Sequence, residues 1–189
     1  MVISAKRALG IIGLILLIVL GVFGVKYTVS YFYQLNYPRG YEEFVTRYAA
    51  EYEVDPDIVW AVIKTESDFE PDATSNVGAR GLMQMMRDTF QWVSGKMKDT
   101  ETTFDDMYDP EANIRYGTFL ISYLYREFGR YDTAIAAYHA GRTATAKWLK
   151  NSAYSSDGSR LETIPSGDTR HYVDKVMKCY DKYQKIYEN

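Results

Sequence analysis

The sequence predicts an all-α globular domain preceded by one N-terminal transmembrane helix. After Tyr41, apolar residues recur at three- and four-residue spacing, and the Asp55-Pro56 and Asp109-Pro110 pairs mark helix starts. No segment shows the sustained apolar–polar alternation of a strand, so at most a minor hairpin in a loop is expected. At 189 residues and 47% hydrophobic content, the chain has length for one ordinary domain and an appendage.

The appendage comes first. Lys6 and Arg7 precede a stretch from Ala8 to Val25 that is uncharged and rich in Ile, Leu, Val and Gly, and Lys26 closes it. At about 1.5 Å rise per residue, a helix over roughly residues 8–28 crosses a hydrocarbon core of about 30 Å. Tyr27, Tyr31, Phe32 and Tyr33 would then form an aromatic belt at the far interface. A signal peptide shares the order of charge then apolar run, but this stretch is long for one and no Ala-x-Ala-like cleavage site follows it. The expected division is a membrane anchor over 1–35, a linker over 36–40 and a folded domain over 41–189. With Lys6 and Arg7 cytoplasmic, the protein is single-pass in the cell membrane and its domain lies on the extracytoplasmic side.

In the domain, Tyr41, Phe44, Val45, Tyr48 and Tyr52 form one face of a first helix, opposite Glu42, Glu43, Arg47 and Glu51. Asp55-Pro56-Asp57 opens the second, with Asp55 as N-cap and Pro56 at the first helical position, where a missing N–H costs nothing. Residues 58–63 are apolar all round, so this helix should be buried on most sides. A loop over 68–76 follows, and the Met-rich run beginning near Gly81 reads as a helix. Residues 96–103 read as a polar, mobile loop, and 104–109 as another. Asp109-Pro110-Glu111 starts a central helix with Ile114, Gly117, Ile121, Leu124 and Phe128 on one face, stopped by Gly129. Asp132 is expected to cap a short helix over 134–140 that Gly141 ends. Trp148 and Leu149 belong to a further helix, and 151–168 is a polar loop. The last helix runs from Thr169 to about Tyr187, with Tyr172, Val176, Tyr180 and Tyr183 as its stripe.

Charge and cysteine content exclude other classes. A net charge of −3 and a pI near 5.5 argue against a nucleic-acid binder, which needs a basic face. Cys179, the single cysteine, forms no intramolecular disulfide and reads as a buried or half-buried helix residue rather than a nucleophile.

One carboxylate stands out. Glu66 closes the buried second helix, where partial desolvation and the negative end of the helix dipole both disfavour its ionised form. That is the setting of a general acid. Downstream, Gly78 and Gly81 flank Ala79-Arg80, and Gln84 is a polar amide among Leu82, Met83, Met85 and Met86 that needs a partner if buried.

Glu66-Ser67, the run Gly78-Ala79-Arg80-Gly81-Leu82-Met83-Gln84, and Ala137-Tyr138-His139-Ala140-Gly141 resemble, in order, the three signature blocks of the lytic transglycosylase catalytic domain. That family is the bacterial branch of the goose-type lysozyme superfamily. The segments Asp109-Pro110-Glu111-Ala112-Asn113-Ile114 and Asp168-Thr169-Arg170-His171-Tyr172-Val173 also match, and the likeness extends from about Tyr41 to Val176. It implies a lysozyme-like all-α domain that cleaves the β-1,4 bond between N-acetylmuramic acid and N-acetylglucosamine, forms a 1,6-anhydromuramyl product and remodels the cell wall locally. Carried over, Glu66 is first acid and then base. Ser67 would hydrogen-bond near the reacting sugar, and Met83 and Gln84 would line the cleft. Tyr138 would hold the Glu66 carboxyl through its hydroxyl, and Tyr172 would close the site. His139, whose imidazole can donate and accept as an amide can, is expected on its own chemistry to contact a sugar acetamido group. The resemblance implies no cofactor and no metal; its partners are peptidoglycan glycan strands and the membrane. Recruitment by a cell-wall synthesis or secretion machinery leaves no mark on the residues.

Departures from the family pattern cluster. His139 and His171, the only histidines, stand where the family usually carries Asn, and two ligands without a third make no zinc site. Arg87 replaces a common proline and Asp168 a usual Glu. The alternatives are a muramidase that hydrolyses the same bond with water, and a non-catalytic glycan-binding module. Asp68, Glu70 and Asp72 are the candidates for a second acid, but lie too close to Glu66 in sequence to sit across a sugar unless the loop folds back.

Overall fold

The computed structural model describes residues 5–187 and divides between Pro38 and Arg39 into two compact units. The first holds one helix, α1 (Ala5–Asn36). Its stretch Leu9–Asn36 is long and apolar enough to cross a membrane. Large apolar side chains are exposed along it, among them Leu9, Leu17, Leu20 and Phe23. The helix runs past Lys26 and through the aromatic cluster, beyond the expected end near residue 28. No breaker intervenes until Pro38, which bars helical geometry in the residue before it.

The second unit is a helical domain with α2 (Glu42–Tyr52), α3 (Pro56–Glu66), α4 (Arg87–Met97), α5 (Pro110–Phe128), α6 (Tyr131–Ala140), α7 (Arg142–Leu149) and α8 (Gly167–Tyr187). A single 3-10 turn, Asp105–Tyr108, precedes α5. Among the described residues there is no strand, only isolated bridges joining Arg80 to Thr74 and to Met85.

The two proline-started helices form as their caps dictate. The Asp55 carboxylate accepts from Asp57 N at 2.9 Å, and the Asp109 carboxylate from Ala112 N at 2.9 Å. Gly129, at φ 72°, ends α5 in the left-handed conformation that favours glycine. All of residues 58–63 are buried in α3, which packs against α8 and α2. There Tyr183 stacks on Trp60 with centroids 6.1 Å apart, and the Tyr180 hydroxyl donates to Asp55 at 2.6 Å. Helix α5 is central, packed on α2, α4 and α6, with Ile114, Tyr116, Leu120, Ile121 and Leu124 buried. Cys179 is buried on α8, and burial pushes its thiol up to about 11.

Three local expectations are corrected. The Met-rich run does not begin a helix: residues 81–85 make a tight turn and α4 starts only at Arg87. Gly81 and Gln84 are left-handed, at φ 73° and 46°, and the turn is closed by reciprocal bonds between Arg80 and Met85 at 3.0 and 2.9 Å. The loop after α4 is pinned rather than loose. Asp99 accepts from the Glu101 and Thr102 amides, the Thr102 hydroxyl and Arg115 at 2.9–3.1 Å. Partial burial opposes ionisation of Asp99, but these bonds hold its pKa down to about 2. Asp132 lies inside the first turn of α6 rather than capping it, because its carboxylate is taken by Thr133 and Arg130.

Gly117 marks where α5 meets the Met-rich turn. A Cβ there would collide with Sδ of fully buried Met83. Gly117→Ala is therefore expected to destabilise the domain by about 1–3 kcal/mol through overpacking, read as a lower denaturation midpoint at unchanged slope.

Candidate active site

The site is assembled where the end of α3, the Gly81–Met85 turn, the end of α6 and the start of α8 converge. Glu66 is the last residue of α3 and is half-buried. The Tyr172 hydroxyl, from α8, donates to Glu66 Oε1 at 2.6 Å. Burial raises the Glu66 pKa to about 7, against the opposing pull of the Tyr172 bond and the Lys175 ammonium. An acid so placed is half-protonated near neutral pH, so it can give a proton and take one back.

The turn beside it is held by a residue that sequence reasoning did not single out. Asn113, fully buried on α5, accepts from Met83 N at 2.8 Å and donates to Arg80 O at 3.0 Å and Met107 O at 2.7 Å. A carboxamide on an otherwise apolar helix face was the available signal, because a buried amide must find partners. Gly81 has no alternative, since a Cβ there would strike Met107 O and Asn113 Nδ2.

The carboxyl is held by Tyr172 rather than by Tyr138. The Tyr138 hydroxyl donates to Met83 O at 2.6 Å, while Tyr172 holds the carboxyl. Both phenols are pushed well above their ordinary value by burial and then by the Glu66 charge, so both are near the carboxyl and both stay protonated. Ser67 donates to Leu82 O at 2.9 Å, tying the end of α3 to the turn, rather than directing its proton at a sugar. The Met83 side chain is fully buried against Gly117 and does not line a cleft; its backbone is what the site uses. Half-buried Gln84 donates to Ala73 O at 3.1 Å and Gly81 O at 2.9 Å, which satisfies its amide nitrogen within the turn.

His139 is exposed at the end of α6, with its ring 4.5 Å from that of Tyr172. Its Nδ1 lies 3.1 Å from Thr169 Oγ1, which itself donates to Ser166 Oγ at 3.1 Å. In the neutral tautomer that donates from Nδ1 to Thr169, Nε2 is left as an acceptor. Partial burial lowers the His139 pKa and the Asp168 charge opposes this. His171 is exposed on α8, next to Tyr172 in sequence. Arg87 opens α4 with its guanidinium 4.3 Å from the Phe104 ring centre, and Asp168 lies in the first turn of α8. Asp68, Glu70 and Asp72 are exposed, and Asp68 pairs with Lys64; the charged group acting on Glu66 is Lys175, not a carboxylate.

Residues 43–159 match the family model described as Transglycosylase SLT domain. The chain is 35% identical over 162 residues to the soluble lytic murein transglycosylase of Escherichia coli K12, covering 80% of this chain and 24% of the relative. It is 29% identical over 170 residues to membrane-bound lytic murein transglycosylase C of Yersinia pestis, covering 77% and 47% respectively. Lytic transglycosylase Slt of Pseudomonas aeruginosa, solved as an inactive mutant, superposes with a TM-score of 0.72 at 31% identity, covering 80% of this chain and 25% of that one. The chain thus spans about a quarter of the length of the soluble relative. Its fold is all-α, as the residues predict, and lysozyme-like, as the resemblance implies.

Proposed function

The chain belongs to the Transglycosylase SLT domain family, and from that premise we propose that it is a peptidoglycan lytic transglycosylase with Glu66 as its single acid–base residue. The observation that carries this reading is a carboxyl at the end of buried α3, desolvated to a pKa of about 7 and oriented by the Tyr172 hydroxyl. Two-carboxylate glycosidases place a partner about 5–9.5 Å from the acid. Here the acids nearest in sequence are exposed, and no carboxylate shifts Glu66.

The chemistry then needs no water. Protonated Glu66 gives its proton to the glycosidic oxygen as the bond from muramyl C1 breaks. The carboxylate so formed takes the proton of the muramyl C6 hydroxyl, and O6 closes on C1 to give the 1,6-anhydro ring. Burial and the phenol bond keep Glu66 close to equal readiness for both transfers. Tyr138 and Asn113 hold the Met83 backbone, which fixes the turn beside the carboxyl. A muramidase reading would require a second base to activate water. Solubilisation of purified peptidoglycan by the full chain in detergent, lost in Glu66→Gln, tests the activity; no release by the wild type would leave a glycan-binding module.

In the tautomer that donates from Nδ1 to Thr169, His139 presents Nε2 beside Tyr172 as an acceptor suited to the N–H of a sugar acetamido group. Protonation removes that acceptor, so KM should rise as pH falls below the ordinary histidine value of 6.5. Loss of one hydrogen bond of about 1 kcal/mol is about fivefold in KM. In His139→Asn, whose amide oxygen accepts at any pH, the rise should vanish; superimposable KM–pH curves would count against the contact.

Helix α1, with Lys6 and Arg7 at its start, supports a single-pass anchor with the domain on the extracytoplasmic side. A membrane-bound relative accords with this. The chain between Asn36 and Glu42 is short, so the enzyme would act on glycan close to the bilayer and open the wall locally.

A further inference from the structure

We infer that Gly40 and Phe69 are positioning residues for Glu66: the segment by which the chain enters the domain braces the turn that leaves the carboxyl. The inference rests on the reading of Glu66 as the acid. Gly40 precedes residues 43–159, the part that the family model matches.

Just past Glu66 and Ser67, Asp68 and Phe69 are both left-handed, at φ 52° and 68°. For a bulky aromatic residue this conformation is an outlier, sustained only where the surroundings over-determine it. From within the turn come the Lys64–Asp68 ion pair and the bond from Glu70 N to Ser67 O at 3.1 Å. From outside comes Gly40. A Cβ built there would lie 2.8 Å from Phe69 Cδ1 and 3.1 Å from Cε1, so the ring rests on the Gly40 backbone at a distance only glycine allows.

Gly40 is itself fixed to α3. Its carbonyl accepts from Trp60 Nε1 at 3.0 Å. Next to it, the Arg39 guanidinium carbon lies 4.6 Å from the Trp60 ring centre and 3.9 Å from that of Tyr187, with an ion pair to Asp57 at 3.2 Å. Tyr41 is left-handed at φ 55°, and its phenol is pushed up by burial and by the charges of Glu70 and Asp72, which places it beside the same loop. One short segment therefore grips α3 near its start, at Trp60, and reaches past its end, at Phe69. The carboxyl between these points is held from swinging away from Tyr172 and Lys175 on α8 and Tyr138 on α6.

The test uses the full chain. In Gly40→Ala the added methyl displaces the Phe69 ring. We expect kcat on peptidoglycan to fall about tenfold with KM within about twofold, the signature of a misplaced catalytic group. The Glu66 titration midpoint, followed by carboxyl NMR without substrate, should move from about 7 toward the ordinary 4.5. Phe69→Leu added to Gly40→Ala makes room for the methyl and should return both readouts. Gly95→Ala, on open helix surface, should move neither. A lower Tm for Gly40→Ala with kcat and the Glu66 midpoint unchanged would overturn the inference and leave a merely structural contact. A midpoint that shifts in a chain releasing no product would uphold the brace and sink the proposed activity.

Discussion

Glu66→Gln is expected to reduce release of peptidoglycan fragments by about 10³-fold or more, since the residue acts as acid and then as base and each role is worth about 10²–10⁴-fold. The fold should persist, because glutamine keeps the shape and can still accept from Tyr172. Stability adds an independent readout. The Glu66 pKa is raised from 4.5 to about 7 in the folded protein. A group raised on folding stabilises the protein fully below its unfolded pKa and loses that contribution as pH climbs through the folded value. The wild type should thus lose stability relative to Glu66→Gln between pH 4.5 and about 7, and the gap should level off above that. For a half-buried group the difference is on the order of 3 kcal/mol at most. Equal denaturation midpoints of the two proteins at pH 5 and pH 8 would mean that Glu66 is not desolvated.

Tyr172→Phe has the second largest expected effect. The variant keeps the ring against His139 and removes only the hydroxyl 2.6 Å from Glu66 Oε1. Loss of this orienting contact should lower kcat by about ten- to a hundredfold, with little change in KM. The phenol bond favours the ionised carboxyl and so lowers the Glu66 pKa; without it the pKa should rise further, above about 7. The alkaline limb of the rate profile, where the general acid loses its proton, should therefore shift to higher pH. Tyr138→Phe should lose a turn contact and leave that limb in place, because its hydroxyl goes to Met83 O. A limb unmoved in Tyr172→Phe would show that the phenol does not govern the carboxyl.

Features written in local chemistry were legible in the sequence. The Asp55-Pro56 and Asp109-Pro110 starts and the Gly129 stop depend on one residue's side chain or φ, and they appear as expected. Burial of residues 58–63, and hence desolvation of Glu66, follows from an unbroken apolar run. What escaped depends on backbone conformation and on hydrogen-bond partners that apolar spacing does not encode. The helical spacing of the methionines competes with two left-handed residues and the reciprocal Arg80–Met85 bonds, and the turn wins. Which tyrosine reaches Glu66 is decided by packing of α8 on α3, which spacing alone does not encode. Asn113 and Asp99 look like ordinary polar residues until the amides around them are seen. The resemblance implied that Ser67 bonds near the sugar, Met83 lines the cleft and Tyr138 holds the Glu66 carboxyl, whereas here Ser67 bonds Leu82 O, the Met83 side chain is buried and the Tyr138 hydroxyl bonds Met83 O.

The division of labour that results is simple. A rigid turn, held by Asn113 and Tyr138, stands beside a carboxyl held by Tyr172, and the exposed His139 ring borders them. With its pKa raised to about 7 by burial, Glu66 can give a proton to a glycosidic oxygen and take one back near neutral pH. The measurement that tests this most directly is mass spectrometry of the fragments released from purified peptidoglycan by the wild-type chain. Chain ends one water lighter than reducing muramic acid, absent with Glu66→Gln, are the predicted result. Reducing ends released at the same bond would contradict the account and assign the site to a hydrolase.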